Sequence, residues 1–355
     1  MSKNVVVLPG DGVGPEVVGA AVDVMQAVGD FSFNFKSIGG YAIDKRGESL
    51  PETTLKACQG ADAVLLGAVG GPQWESDDPE APRPEQGLLA LREGLNVHAN
   101  LRPTKVLKSL VKLSALNKEK VKDGVDFMMV RELLGGLYFG EKGRDHGGSY
   151  DVCRYTDQQI KNVGRTAFEL SVERSVESGH VPRLVSVDKA NVLETSRRWR
   201  ELMEQLHLEE YPMVFFSNML VDNAAQQLNI NPRQFDVIVT ENTFGDILSD
   251  QAATLTGSVG LSPSASLSRD GPGLFEPIHG SAPDLAADRA NPVGAILSGA
   301  MALRYSLDMP EEASAIEAAV EKTLAGGLFR HSVRTEDIGG RATTRQMTQA
   351  VLRNL

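Results

Sequence analysis

Short apolar runs, each followed by a pattern that favours a helix, are the feature that most limits how this chain can fold. Residues 5–8 precede apolar side chains at helical spacing from Val17 to Val28, and residues 184–187 precede a second helical pattern. Further runs of this kind span residues 63–66, 125–130, 213–216 and 237–239. Alternating strands and helices are typical of α/β proteins. The sequence therefore predicts an α/β fold around a mixed, largely parallel sheet.

A glycine-rich turn follows the first predicted strand, but it does not match the dinucleotide-binding fingerprint. Gly10 and Gly12 fit the start of GxGxxG, whereas Pro15 stands where the last glycine is needed. Proline suits the first turn of a helix. We therefore expect a tight entry into a helix without a Rossmann motif, and the role of the turn in ligand binding stays open.

Length, charge and cysteine content exclude several classes of protein. A chain of 355 residues is longer than one typical domain, so two domains or one domain with an insertion are expected. The net charge of −11 argues against nucleic acid or an anionic membrane as a partner. Cys58 and Cys153 stand far apart, which indicates neither a disulfide framework nor a zinc site. No apolar run reaches the roughly 18 residues of a membrane span, so a soluble cytoplasmic protein is expected.

Two aspartates at helical spacing follow the apolar run 237–239. Asp246 and Asp250 are four residues apart, so a helix would present both carboxylates on one face. Mg²⁺ or Mn²⁺ takes a few carboxylate oxygens and completes its coordination with water and substrate. The alternative is a solvated helix start, where acids favour the positive end of the helix dipole. Two aspartates alone leave both interpretations open.

Several stretches together resemble the β-decarboxylating dehydrogenases, the family of isocitrate and isopropylmalate dehydrogenases. The stretches are LPGDGVGPEV, GLLALR with NLRP, VRELLGGLYFGE, SVDKANVLE, FDVIVTENTFGDILSD, GLSPSAS and FEPIHGSAPD. The resemblance implies the isopropylmalate/isocitrate dehydrogenase-like fold, with two α/β domains. It implies a discontinuous cofactor domain at 1–98 and 257–355. The inserted segment 99–256 would bind substrate and metal and form a homodimer, with an arm near 141–156.

The resemblance also implies the chemical roles. Asp246 and Asp250 match metal ligands, and Asp222 matches a third that comes from the partner subunit. Lys189 matches the base that removes the hydroxyl proton, and Tyr138 matches the acid that protonates carbon after CO₂ leaves. The alternatives are an exposed helix-start aspartate, a surface lysine and a tyrosine that packs in a β segment.

The substrate contacts implied by the resemblance are charged and apolar. Arginines suit carboxylates because their planar fork donates two hydrogen bonds. Leu88 and Leu89, with Glu85, match the positions where isopropylmalate enzymes place leucines against the isopropyl group; core packing is the alternative. Asn191 and Val192 match contacts from the partner subunit, with helix capping as the alternative for Asn191. The matching arginines are Arg92, Arg102 and Arg131.

The stretch HGSAPD matches the cofactor-binding loop of the family. Asp284 would accept hydrogen bonds from a ribose and repel a 2′-phosphate, which favours NAD over NADP. The segment between Asp284 and Asn291 is shorter than the Gly-Lys-containing loop usual in the family, which could alter adenosine binding. A Pro-Asp turn is the alternative. The matching positions are His279, Gly280, Ser281, Ala282, Asp284 and Asn291.

Through this resemblance, the residues together predict an NAD-dependent oxidative decarboxylation of 3-isopropylmalate that requires Mg²⁺ or Mn²⁺ and serves leucine biosynthesis. The nearest alternative is the same chemistry on tartrate or another malate, isocitrate or homoisocitrate. A non-catalytic regulatory subunit is a further alternative, but such a chain should have lost part of the tyrosine, lysine and aspartate set.

Overall fold

A computed structural model describes residues 2–76, 78, 81–326 and 333–355 of the chain. Within it, the backbone forms two compact units. The first unit comprises Met1–Val97, Leu107–Leu113 and Thr256–Leu355, and the second comprises His98–Val106 and Ser114–Leu255. The chain thus enters the second unit twice, at His98 and at Ser114, and returns to the first unit at Leu107 and at Thr256.

Five strands form the sheet of the first unit, in the order β2-β1-β3-β12-β11. They are β1 (Lys3–Gly10), β2 (Phe31–Phe35), β3 (Ala63–Ala68), β11 (Pro263–Ser268) and β12 (Gly273–Pro277). Neighbouring strands run parallel, except that β11 is antiparallel to β12. The helices are α1 (Gly14–Gln26), α2 (Gly39–Arg46), α3 (Glu52–Gln59), α4 (Pro84–Gly94), α10 (Val293–Tyr305), α11 (Pro310–Ala325) and α12 (Thr344–Leu352).

The core of the first unit lies where α1 and α10 pack beside the sheet. Helix α10 is apolar around its whole circumference, as expected for a helix covered on all sides. Gly299 lets α10 approach α1 closely, since a Cβ at that position would lie 3.1 Å from Met25 Sδ. Val17 and Ala21 of α1 are buried in the same cluster as Ala295.

Five strands also form the sheet of the second unit, in the order β4-β5-β10-β8-β9. They are β4 (Val97–Val106), β5 (Val125–Glu132), β8 (Arg183–Asp188), β9 (Phe215–Leu220) and β10 (Val237–Thr240). All run parallel except β4, which is antiparallel to β5. A separate hairpin joins β6 (Lys142–Asp145) and β7 (Gly148–Asp151). The helices are α5 (Lys118–Val121), α6 (Asp157–Ser178), α7 (Glu194–Glu209), α8 (Val221–Ile230) and α9 (Asn242–Ala253).

The predicted α/β class with a mixed, largely parallel sheet is confirmed. The segment 257–273, rich in serine, glycine and proline, contains β11. Helix α7 begins at Glu194, because residues 190–192 form a turn after β8. Tyr138 ends a short 3₁₀ turn, so it does not pack in a β segment. Pro103 lies within β4.

No helix among the described residues combines the length and the apolar character that crossing a membrane requires.

Candidate active site

Asp246 is the centre of a cluster of polar side chains in the second unit. Its Oδ1 accepts hydrogen bonds from Arg131 Nη1 and, at 3.4 Å, from Arg102 Nη2. Its Oδ2 accepts a hydrogen bond of 2.9 Å from the hydroxyl of Tyr138. The geometry follows from the sheet, because β5 and β10 are parallel and pair Arg131 with Thr240 at their carboxyl ends. Helix α9 then carries Asp246 back over Arg131.

Asp250 joins this cluster one helical turn later. Its Oδ1 accepts a hydrogen bond of 2.9 Å from Arg102 Nη1, and the same nitrogen donates to Ser249 Oγ at 2.8 Å. Asn100, two residues earlier on β4, accepts from Arg102 Nε at 2.8 Å. One guanidinium therefore holds both predicted metal ligands on the same face of α9.

The electrostatics of the two carboxylates fit a divalent cation. Burial raises the pKa of Asp250, and the nearby charge of Asp246 raises it further, while Arg102 opposes the rise. Two carboxylates that repel each other in a partly buried site are suited to a hard cation that both can bind. Among the described residues of one chain, however, no group of three or more acidic, histidine or cysteine side chains converges on such a site.

The position of Tyr138 fits proton transfer. Its ring lies under the guanidinium of Arg131, whose Cζ is 5.6 Å from the ring centroid. Burial raises the pKa of Tyr138, and the carboxylate of Asp246 adds to the rise. The hydroxyl therefore keeps its proton at neutral pH and can donate it.

A layer of residues behind Arg131 was not predicted from the sequence. Asn242 Oδ1 accepts hydrogen bonds from Arg131 Nε at 2.9 Å and Nη2 at 2.7 Å, and its Nδ2 donates to Gly135 O. The hydroxyl of Tyr155 donates a hydrogen bond to the carboxylate of Glu241, which is the N-cap residue of α9. The position of Asn242, four residues before Asp246, was the signal that could have identified it.

Glu132 is a fully buried acid in this layer. Its two carboxylate oxygens accept from the backbone nitrogens of Leu134 and Gly135 at 2.9 Å each, which holds the turn that leads to Tyr138. Burial raises the pKa of Glu132 to about 7, and Glu241 adds to the rise, while the two backbone donors oppose it. The folded protein therefore keeps a proton on Glu132 that the unfolded chain releases at lower pH.

This shift predicts that Glu132 makes the protein less stable as pH rises from about 4.5 to 7, because the folded state binds more protons than the unfolded state over that interval. Relative to Glu132→Gln, the wild-type free energy of unfolding should fall by roughly 2–3 kcal/mol between pH 5 and pH 8. Urea unfolding of both proteins at several pH values measures the difference. A difference that stays constant with pH would contradict the assignment.

Lys189 and Asp222 form a second group in the second unit. The ammonium group of Lys189, at the end of β8, donates a hydrogen bond to Asp222 Oδ1, near the start of α8. This bond is the main reason that the pKa of Asp222 is lowered. Asn191 and Val192 lie exposed in the turn that follows Lys189. Asn191 does not cap α7, because the N-cap position is Leu193.

Helix α4 carries the predicted substrate contacts of the first unit. Its buried residues are Pro84, Gly87, Leu91 and Arg92, so Leu88 and Leu89 lie beside the core-facing stripe and are only half-buried. The guanidinium of Arg92 donates to Glu276 Oε1 at 2.9 Å. Arg92 Nε is buried and has no hydrogen-bond partner among the described residues.

A cavity of about 790 Å³ lies beside the N-terminus of α4 in the first unit. Its walls include Gly71, Trp74, Arg83, Glu85 and Pro283. The predicted substrate residue Glu85 and the predicted cofactor stretch HGSAPD thus meet at one cavity.

Residues 279–291, called here the 279–291 loop, contain the predicted cofactor contacts. His279 Nε2 is buried without a partner among the described residues, and burial lowers the pKa of this imidazole. Asp284 is exposed, as is Gly280. The amide of Asn291 donates to Asp337 Oδ2 at 2.9 Å and accepts from Val293 N at 3.1 Å, so the protein itself engages both ends of this side chain.

Comparison with known proteins shows the family to which the chain is similar. The family model described as isocitrate/isopropylmalate dehydrogenase matches residues 4–351. The chain is 50% identical to the 3-isopropylmalate dehydrogenase of Anaeromyxobacter dehalogenans, covering 100% of both chains. It is 52% identical to the 3-isopropylmalate dehydrogenase of Halalkalibacterium halodurans, covering 99% of this chain and 96% of that protein.

Solved structures give the same result at the level of the fold. Isocitrate dehydrogenase from Methylococcus capsulatus superposes with a TM-score of 0.86 at 31% identity, covering 100% of this chain and 99% of that one. A beta-decarboxylating dehydrogenase from Thermococcus kodakarensis gives 0.81 at 36% identity, covering 100% and 96%. With matches over nearly its whole length, this chain belongs to the isocitrate/isopropylmalate dehydrogenase family.

Proposed function

We propose that this chain oxidises and decarboxylates 3-isopropylmalate with NAD, giving 2-oxoisocaproate and CO₂ in leucine biosynthesis. The cluster around Asp246 carries the proposal, because one carboxylate there accepts from Tyr138 and from two arginines. Such a cluster combines donors for the carboxylates of the substrate with an acid for the final proton transfer.

Different residues of this chain serve substrate binding and the two proton transfers of the proposed reaction. Arg92, Arg102 and Arg131 would bind the two carboxylates of the substrate, because each planar guanidinium can donate two parallel hydrogen bonds to a carboxylate. Lys189 acts as the neutral amine, whose nitrogen lone pair takes the proton of the 2-hydroxyl group as the C2 hydrogen leaves as hydride. Tyr138 gives a proton to C3 once CO₂ has left, which completes the 2-oxo acid.

A divalent cation and NAD are the proposed cofactors. Asp246 and Asp250 would hold Mg²⁺ or Mn²⁺ together with Asp222 of a second chain, and the 279–291 loop would hold the adenosine half of NAD. The cation would supply a Lewis acid for the hydroxyl and its neighbouring carboxylate, and NAD would supply the hydride acceptor. Asp284 favours NAD over NADP, because its carboxylate would repel a 2′-phosphate.

A homodimer in which each site combines residues of both chains would explain why the three proposed metal ligands form two separate groups within one chain. Within one chain, Asp222 pairs with Lys189, whereas Asp246 and Asp250 share Arg102. We propose that Lys189 and Asp222 act together at the site of the partner chain. Exposed apolar side chains near these groups fit a protein partner: Val192 is 61% exposed and Ile247 is 62% exposed.

Two half-buried leucines favour the binding of 3-isopropylmalate over the binding of the other candidate acids. Leu88 and Leu89 lie beside the core-facing side of α4 and offer apolar surface to an isopropyl group. Isocitrate or homoisocitrate would place an additional carboxylate against this apolar surface, which costs free energy. The relatives at 50% and 52% identity are named 3-isopropylmalate dehydrogenases, whereas the isocitrate dehydrogenase structure is 31% identical.

A substrate panel tests this proposal. Purified protein is assayed for NADH or NADPH formation with 3-isopropylmalate, isocitrate, homoisocitrate and tartrate, each with NAD⁺ or NADP⁺ and with Mg²⁺ or EDTA. We expect the highest kcat/KM with 3-isopropylmalate and NAD⁺, and no turnover in EDTA. Higher kcat/KM with another acid would overturn the substrate assignment, and no turnover with any acid would favour a regulatory subunit.

A further inference from the structure

The glycine-rich turn between β1 and α1 is the sequence motif to which the proposed reaction gives no role. Gly10 and Gly12 have positive φ angles of 70° and 55°. A Cβ on Gly12 would lie 2.0 Å from Ser281 O. The missing side chain therefore lets the backbone of the 279–291 loop approach the turn directly.

Hydrogen bonds hold both ends of the 279–291 loop, the first end to this turn and the second end to the start of α1. Val13 N donates to Ser281 O at 2.8 Å. The carboxylate of Glu16, in the first turn of α1, accepts from Asp288 N at 2.8 Å and from Ala290 N at 3.3 Å. The glycine-rich turn does not match the dinucleotide-binding fingerprint. Together with the first turn of α1, it instead holds the 279–291 loop in place.

Helix α12 completes the attachment of the second end. The hydroxyl of Thr344 contacts both the carboxylate of Glu16 and Ala290 O, the latter at 2.6 Å. Asp288 Oδ1 accepts from Arg345 N at 2.9 Å. Glu16 therefore lies where α1, α12 and the loop meet. Its two carboxylate oxygens accept hydrogen bonds from the loop and from α12.

The loop needs such fastening because its backbone is strained. Ala282 has a φ of 41° and Asp288 has a φ of 61°. Left-handed conformations are unfavourable for residues other than glycine and persist only where the surroundings hold them. Removing an anchor should therefore let the loop relax away from the conformation in the structure.

We propose that Glu16 is a positioning residue for the cofactor, fixing the second end of the 279–291 loop in the conformation that binds the adenosine half of the dinucleotide. This inference rests on the proposed function, which assigns that loop to NAD. Glu16 itself touches no cofactor atom in this scheme. It acts through the backbone of Asp288 and Ala290.

The variant Glu16→Gln tests the inference at constant side-chain size. Glutamine replaces one accepting oxygen by an NH₂ group, which would face the N–H of Asp288 or Ala290. We expect the Kd for NADH, measured by fluorescence titration, to rise about tenfold as this anchor is lost. The kcat at saturating NAD⁺ and the KM for the acid should stay within about twofold, since binding rather than chemistry is weakened.

A matched control separates this role from a general effect of acids at helix starts. Glu311 is an exposed acid in the first turn of α11, so Glu311→Gln removes the same charge from a helix N-terminus. The Kd for NADH should not change in this variant. An equal rise in both variants would overturn the inference, because the loop contacts belong to Glu16.

Two more variants separate the role of Glu16 from the assignment of the 279–291 loop to NAD. Asp284→Ala probes the cofactor loop itself. If Asp284→Ala weakens NADH binding and Glu16→Gln does not, the positioning role is overturned; if neither does, the assignment of the loop to NAD fails. Thr344→Val removes the hydroxyl that contacts Glu16 and Ala290. Should Glu16→Gln not fold, a Kd for NADH unchanged in Thr344→Val would equally overturn the role.

Discussion

Replacing Asp246 by asparagine is expected to lower kcat/KM for 3-isopropylmalate by about three orders of magnitude, because the change affects every partner of this carboxylate. The asparagine NH₂ group would face donors from Arg131 or Tyr138, where Asp246 now accepts. The buried guanidinium of Arg131 would also lose a counter-charge, which is costly in a desolvated site.

Steady-state kinetics with 3-isopropylmalate, NAD⁺ and Mg²⁺ measure this effect. Asp123→Asn is the matched control, since Asp123 is an exposed aspartate of the second unit whose carboxylate pairs with Arg233 at 2.8 Å. Its kcat/KM should equal that of the wild type. Circular dichroism confirms that each variant is folded. If folded Asp246→Asn kept more than about a tenth of the activity, the central role of Asp246 would be refuted.

The second large effect is expected for Lys189→Ala, with kcat lowered about a thousandfold and the Kd for NADH unchanged. This variant removes the proposed base and leaves Asp222 without the ammonium group that it now contacts. Small primary amines added to the assay should restore part of the activity, because they can occupy the space of the lost side chain and accept the hydroxyl proton.

Lys122→Ala is the control for this prediction. Lys122 is another lysine of the second unit, but its side chain is exposed and pairs with the nearby Glu119. Its removal should change neither kcat nor the response to amines. Amines that stimulate both variants equally would show a solvent effect, and a Lys189→Ala enzyme within about tenfold of the wild type would exclude Lys189 as the base.

The sequence predicted much of the fold because its strands and helices carry strong local patterns. Helix α6 spans Asp157–Ser178, and its sharp start has a local signal, the capping box of Thr156 with Gln159. Strand β11 was missed, because its sequence PSASLS has little apolar character. It is buried through its pairing with β12, which is a tertiary effect that local patterns do not contain.

The site was predictable from the sequence only in part. The spacing of Asp246 and Asp250 indicated a shared helix face, and Arg102 does contact both carboxylates. No local pattern indicated that Lys189 pairs with Asp222, since these residues meet through the neighbouring strands β8 and β9. The anchoring of the 279–291 loop by Glu16 was equally hidden, because Glu16 is far from that loop in the chain.

The most direct test of the account is complementation between inactive chains in an isolated mixed dimer. Differently tagged Lys189→Ala and Asp246→Asn chains are co-expressed, and the mixed dimer is purified through both tags. If Lys189 acts at the site of the partner, one of the two sites keeps all native groups, so about half of the wild-type activity is expected. The mixed dimer of Lys189→Ala with Asp222→Asn should be inactive, since each site then lacks one group. An inactive first dimer would contradict the shared site, because each site lacks one group whenever Lys189 acts beside the Asp246 of its own chain.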